Sequence, residues 1–290
     1  MKKKIIIISV LVVFIIALLL IPTKVYQKIF NKEEPKSEQN EPSVYQTLFV
    51  RDSNSYLVGV NVKVKAIEED VVCQKWELLT NKSYDLPHGY STPIDVNTTL
   101  ISHETKDGVL TLNLSEEFIN SEGRASIECL AWNFCVDDVT QVVVKVNDQV
   151  VNEVNGYYYK EISKNLGVNL TYESAYLFEA DYVTVISYQD DLIKPVTYLF
   201  NSKNNIYDYT IKKIFNSDDS LNDMVMANGY SYTLEKDVFV ITMDYNDTLS
   251  ENLVKSLTET INMNFDIKSL VINGTDSVLL EINFEETTNI

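Results

Sequence analysis

The sequence predicts an α+β protein: two tandem small α/β sandwich domains, each ordered hairpin-helix-strand-helix-strand, behind an N-terminal transmembrane helix. Three observations lead there. The chain opens on an unbroken apolar run, short strand-forming runs then alternate with amphipathic helical segments, and the order of those segments in residues 44–173 recurs in 174–290. With 290 residues and 45% hydrophobic content, the chain has the length and the apolar material for two packed domains.

Met1-Lys2-Lys3-Lys4 precedes Ile5–Ile21, in which Ser9 is the only polar side chain. The run reaches the lower end of the roughly 17–25 residues that span a bilayer. A helix apolar on every side also has no place on the surface of a soluble domain. Ile21-Pro22-Thr23-Lys24 lacks the small residues of a signal-peptide cleavage site, and no cysteine follows that a lipid would modify. Residues 1–30 therefore read as an uncleaved signal anchor. The lysines ahead of the run orient it with the N-terminus in the cytoplasm and the rest of the chain outside. Residues 31–43, Asn-Lys-Glu-Glu-Pro-Lys-Ser-Glu-Gln-Asn-Glu-Pro-Ser, hold no apolar side chain and read as a flexible spacer.

Each domain opens on a predicted hairpin, 45–51 with 56–64 in the first and 182–188 with 192–200 in the second. A helix follows, carrying Val72, Trp76 and Leu79 in one copy and Tyr209, Ile211 and Phe215 in the other. Next comes the strongest internal match, residues 106–114 against 235–243. Period-2 alternation there sets Leu110, Leu112 and Leu114 on one face and Phe239, Ile241 and Met243 on its counterpart. Asp107-Gly108 reads as a tight turn at positive φ; Asp237-Val238 predicts a different turn in the second copy. A second helix then places Ile127, Leu130, Ala131 and Phe134 on one stripe, and Leu253, Val254, Leu257 and Ile261 on the other, the latter behind a capping-box pattern of Thr248 and Glu251. Val142-Val144-Val146 and Leu270-Ile272 supply the closing strands.

A formal net charge of −18 and a pI near 4.5 argue against nucleic acid as a partner, because such binding depends on Lys and Arg displacing counterions. Cys73, Cys129 and Cys135 lack the close spacing of zinc or redox motifs. They read as buried thiols, with a bridge from Cys73 to one of the others as the sharper alternative. Cys129 and Cys135 themselves point apart on a helix and should not pair.

The stretch from Pro93 through Thr98-Thr99-Leu100-Ile101-Ser102 to Asp107-Gly108-Val109-Leu110-Thr111-Leu112-Asn113-Leu114-Ser115-Glu116-Glu117-Phe118 resembles the hallmark of the GerM domain, the sporulation and spore germination domain. Gly167-Val168-Asn169 is similar to that family's closing Gly-Ile-Asn. The resemblance covers about residues 44–172 and reaches 180–283 through the internal repeat. Thr80-Asn81-Lys82 replaces the family's Gly-Pro after the first helix. The resemblance implies a ring-building-motif-like fold and a non-enzymatic extracytoplasmic role: a scaffold or partner-binding protein of the envelope of Gram-positive bacteria, linked to sporulation, germination or cell-wall assembly. It also implies envelope proteins or self-association as partners.

The residues themselves offer no catalytic set. His88 and His103 read as exposed loop histidines. The acidic pairs Glu116-Glu117 and Asp137-Asp138 read as solvated, with Glu116 and Glu117 starting a segment after the strand. No hydrolase, metalloprotease or P-loop pattern occurs. No catalytic, cofactor-binding or metal-binding residue and no cofactor is assigned. Sheet edges and Tyr157-Tyr158-Tyr159 are the candidate contact surfaces, with core or inter-domain packing the plainer role for the tyrosines. Peptidoglycan or a small ligand is the alternative partner.

Overall fold

The computed structural model describes residues 43–65, 70–80, 86–174, 177–189, 192–217 and 229–284; the predicted anchor 1–30 and all but Ser43 of the predicted spacer lie outside them. Within the described residues, no helix is long and apolar enough to cross a membrane. Proximity in space separates two units. Of the described residues the first holds only Ser43, Val44 and 63–65; the second holds Tyr45–Val62 and those from 70 onward.

The first copy runs β1 (Ser43–Arg51), β2 (Leu57–Lys65), α1 (Val71–Leu79), β3 (Leu100–Lys106), β4 (Val109–Leu114), a 3₁₀ turn (Glu116–Asn120), α2 (Gly123–Phe134), β5 (Gln141–Val146) and β6 (Gln149–Val150). One short pair follows, β7 (Glu153–Val154) with β8 (Tyr157–Tyr158), and then the single strand β9 (Thr171–Tyr172). The second copy runs β10 (Ala180–Gln189), β11 (Leu192–Asn201), α3 (Ile206–Asn216), β12 (Tyr230–Glu235), β13 (Val238–Met243), α4 (Glu251–Asn264), β14 (Ser269–Asn273) and β15 (Val278–Asn283). Each copy is therefore hairpin-helix-hairpin-helix-hairpin, one strand richer at two places than the alternation in the sequence predicts. The added strands are edge strands. β3 is exposed along most of its length and β15 holds no fully buried residue, so neither shows a strongly buried face that periodicity can detect.

The four-stranded sheets have one topology, β3-β4-β5-β6 and β12-β13-β14-β15. In each, the central pair is parallel and flanked by antiparallel neighbours: β4 with β5, and β13 with β14. The alternation places the cores as predicted. Leu110, Leu112, Leu114, Phe239, Ile241 and Met243 are all buried, as are Val142, Val144, Val146, Leu270 and Ile272 opposite them. In the second copy these residues join Ile211, Ile214 and Phe215 of α3 and Leu253, Leu257 and Ile261 of α4 in one cluster. Trp76 of α1 stacks against Phe134 of α2, with centroids 6.4 Å apart.

The hairpin turns differ as the sequence predicts. Asp107 (φ 50) and Gly108 (φ 76) are both left-handed, whereas of Lys236 and Asp237 only Lys236 (φ 58) is. A two-residue loop with both φ positive suits the right-handed twist of a hairpin, and Asp-Gly is among its preferred sequences.

The capping box of α4 is a correction. Ser250, not Thr248, caps the helix, its Oγ accepting from Leu253 N at 3.1 Å, and Glu251 is then the first helical residue rather than the reciprocal partner. Ser250→Ala is expected to lower stability by about 1 kcal/mol. Thr248→Ala should stay within about 0.5 kcal/mol of wild type, as surface changes usually do. Urea titration of the two variants distinguishes the assignments, and the opposite ranking would return the cap to Thr248.

Candidate functional site

The opening hairpins of the two copies do not stand apart. β2 pairs antiparallel with β11, Leu192 opposite Val60 and Ile193 opposite Gly59, and joins them into one sheet ordered β1-β2-β11-β10. Gly59 permits the approach, since a Cβ there would lie 3.1 Å from Ile193 Cβ and from ring atoms of Phe49.

Continued, this register sets Leu57 opposite Pro195, and there the ladder stops. Alternate residues of a strand present their backbone groups to the same edge. Thr197 N donates to Val168 O on that edge, so Pro195, two residues earlier, would have donated there too had it an N–H. Asn169 fills the gap with its side chain. Its Oδ1 accepts from Leu57 N at 2.8 Å, and its Nδ2 donates to Leu57 O at 2.8 Å and to Pro195 O at 2.7 Å. The amide thus acts as a peptide unit inserted between the two copies. Asn169 holds φ 48, a conformation Asn tolerates better than most residues. β9 then continues along the same edge, parallel to β11.

Behind the seam, Glu128 of α2 is nearly buried. Arg124 Nε donates to its Oε1 at 2.5 Å, and Asn169 N donates to Oε2 at 3.4 Å. Burial raises the Glu128 carboxyl pKa, and the Arg124 guanidinium opposes the rise. Arg124 also donates to Leu166 O and to Tyr157 Oη.

Sequence reasoning missed a pair of asparagines at equivalent helix ends. Asn133 of α2 accepts from Phe49 N and donates to Phe49 O, both at 2.9 Å. Asn264 of α4 does the same to Thr184, at 2.9 and 2.7 Å. On β10 the series continues, with Thr260 accepting from Ile186 N and Ser256 from Tyr188 N. Polar residues spaced by four on one helical stripe, at Ser256, Thr260 and Asn264, were the legible signal. These bonds occupy donors on the outer edge of β10, which strand addition by another chain would otherwise use.

One exposed aromatic strip lies on the shared sheet. Tyr182 of β10 and Tyr172 of β9 both sit opposite Leu199 of β11, and paired residues share a face. Each tyrosine is 59% exposed. The triplet 157–159 is divided instead: Tyr159 is buried with its hydroxyl donating to Val151 O at 2.7 Å, Tyr157 meets Arg124, and Tyr158 is exposed.

The remaining residues singled out in the sequence fall as follows. His88 is exposed in a turn. His103 is not a loop residue: it lies on β3 opposite fully buried Leu112, so its ring turns toward the helix layer, and its Nε2 is 2.7 Å from Asp70 Oδ2. Asp70 caps α1, accepting from Cys73 N at 3.1 Å. The hydrogen bond from the Cys73 thiol, followed by that from His103, holds the Asp70 carboxyl at about 2; the same bond to Asp70, with burial, pushes Cys73 to about 11. All cysteines are free, but Cys73 is half-exposed rather than buried. Cys129 and Cys135 are buried, and burial pushes their thiols to about 12 and about 11, which leaves them inert. Glu116 and Glu117 occupy the first turn of the 3₁₀ segment, and Asp137 and Asp138 are exposed after α2.

Two hairpin-helix-hairpin-helix-hairpin modules welded through one sheet define a tandem-module α+β protein. Residues 44–152 match the family model described as Germane: Sporulation and spore germination. Among solved structures, the tandem GerMN domains of the sporulation protein GerM from Bacillus subtilis match with a TM-score of 0.66 at 19% identity, over 81% of this chain and 92% of that one. The first GerMN domain of the same protein matches with a TM-score of 0.36 at 19% identity, over 42% of this chain and 98% of that one. Comparison with curated proteins gives no match. The first copy thus carries the sequence pattern of the sporulation and spore germination family, and the two copies together share the fold of the tandem GerMN domains.

Proposed function

We propose that the protein is a non-enzymatic scaffold of the cell envelope, held by residues 5–21 in the cytoplasmic membrane with both modules outside, and that it binds another envelope protein during sporulation, germination or wall assembly. The observation that best supports a binding role is the strip of Tyr172, Leu199 and Tyr182. Exposed tyrosines in register offer large amphipathic contact area at low entropic cost. The seam beside it makes the two modules one plate, so a partner meets a preformed surface.

The test compares the full-length chain with a Tyr172→Ser/Tyr182→Ser variant in co-purification from solubilised envelope. An envelope protein should be recovered with wild type and reduced at least fivefold with the variant, while both melt at similar temperatures. Recovery of nothing above background, or equal recovery with both, would count against the strip as the contact. Sedimentation with purified wall sacculi would instead favour peptidoglycan as the ligand.

A further inference from the structure

Asp70 and Cys73 sit together at the start of α1 and His103 lies 33 residues from Asp70 on β3, yet the fold brings their ligand atoms, one from each residue, within 4.8 Å of one another. The geometry points to a zinc-class divalent metal site formed by the Cys73 thiolate, the His103 imidazole and the Asp70 carboxylate.

Two elements set the arrangement. The N-terminus of α1 carries Asp70 as its cap and Cys73 one turn on, and the edge strand β3 turns His103 beneath them. Asp70 has φ 43, an unusual conformation for a capping residue, and its carboxylate is shared between the helix and the histidine. In the metal-free form, the thiol of Cys73 and the ring of His103 both hydrogen-bond to this one carboxylate. A divalent ion among the three would replace those bonds with coordination and release the thiol proton.

The ligand types select the ion. One sulfur, one nitrogen and one oxygen donor suit borderline Zn²⁺; Mg²⁺ and Ca²⁺ prefer all-oxygen shells. Three protein ligands leave a fourth tetrahedral position, and the partial exposure of Asp70 and His103 opens it to solvent, where water or a donor from another molecule completes the shell. This site is separate from the tyrosine strip and does not depend on the partner-binding reading.

The experiment titrates Zn²⁺ against a chromophoric chelator, using the full-length chain kept reduced, and records Co²⁺ substitution spectra in parallel. The expected result is one Zn²⁺ per chain and a thiolate-to-cobalt charge-transfer band. Cys73→Ser and His103→Gln should each weaken Zn²⁺ binding at least about tenfold, since even residues that only support ligands are worth that much. Asp70→Asn keeps an acceptor for the helix cap and the tolerance for positive φ, so it removes the charge without removing the fold. It too should weaken binding, with an unchanged thermal transition in the metal-free form. Absence of binding, absence of the cobalt band in the wild type, or Zn²⁺ affinity unchanged in all variants would overturn the assignment; the last result would mark adsorption to the acidic surface.

Discussion

Replacing Asn169 with alanine is expected to destabilise the protein by about 3 kcal/mol, although the residue is only half-buried. Its side chain makes three hydrogen bonds, and each typically contributes about 1 kcal/mol net. Alanine also tolerates φ 48 less well than asparagine, which adds to the loss. Water can reach part of the exposed backbone and offsets some of the sum. Asn169→Asp is the sharper variant. It keeps the acceptor for Leu57 N but turns the donor to Leu57 O and Pro195 O into a second acceptor, so it should cost as much as alanine or more. Chemical denaturation measures both. A loss below about 0.5 kcal/mol for alanine, the range of ordinary surface changes, would show that β2 and β11 hold the seam without it.

Removing Arg124 should cost a similar amount, about 3 kcal/mol at neutral pH. Breaking a buried pair by deleting one partner typically costs about 3–5 kcal/mol, because the other charge stays buried alone. The lower end applies here because Arg124 is itself a third exposed. The pH dependence gives the cause. Burial raises the Glu128 carboxyl pKa above its unfolded value, so the native state binds that proton more tightly than the unfolded chain does. Stability from this group is then greatest at low pH and falls as pH rises from the unfolded carboxylate range through the raised native value. Without Arg124 the native value rises further. The deficit of Arg124→Ala should therefore be large at pH 7 and shrink toward pH 4, where Glu128 takes up a proton. Adding Glu128→Gln to Arg124→Ala should recover part of the loss at neutral pH and flatten the pH profile, as a double-mutant cycle would resolve. A deficit independent of pH would mean that Arg124 acts through Leu166 O and Tyr157 alone.

Much of the fold was legible because it follows from local patterns. The alternation at Leu110, Leu112 and Leu114, and its repetition at Phe239, Ile241 and Met243, depends only on the period of a strand and the burial of one face. The helical stripes of Ile127 to Phe134 and Leu253 to Ile261 depend only on the 3.6-residue turn. β3, β6 and β15 were not legible, since edge strands without a fully buried residue carry only a weak periodic signal. His103 was misplaced for the same reason: on a strand that reads as loop, its alignment with buried Leu112 cannot be seen.

The chain by itself determined the repeat, the faces of its helices and strands, and the family pattern its first copy resembles, because each rests on residues close in sequence or on a motif in one stretch. The tertiary structure decided how the copies join and which polar side chains meet. Asn169 sits 112 residues from Leu57, Asn133 84 from Phe49, and His103 33 from Asp70. A polar side chain has no periodicity that reports its partner. Its role is fixed only when another segment presents an unpaired donor or acceptor within reach, as Pro195 and Leu57 do at the seam.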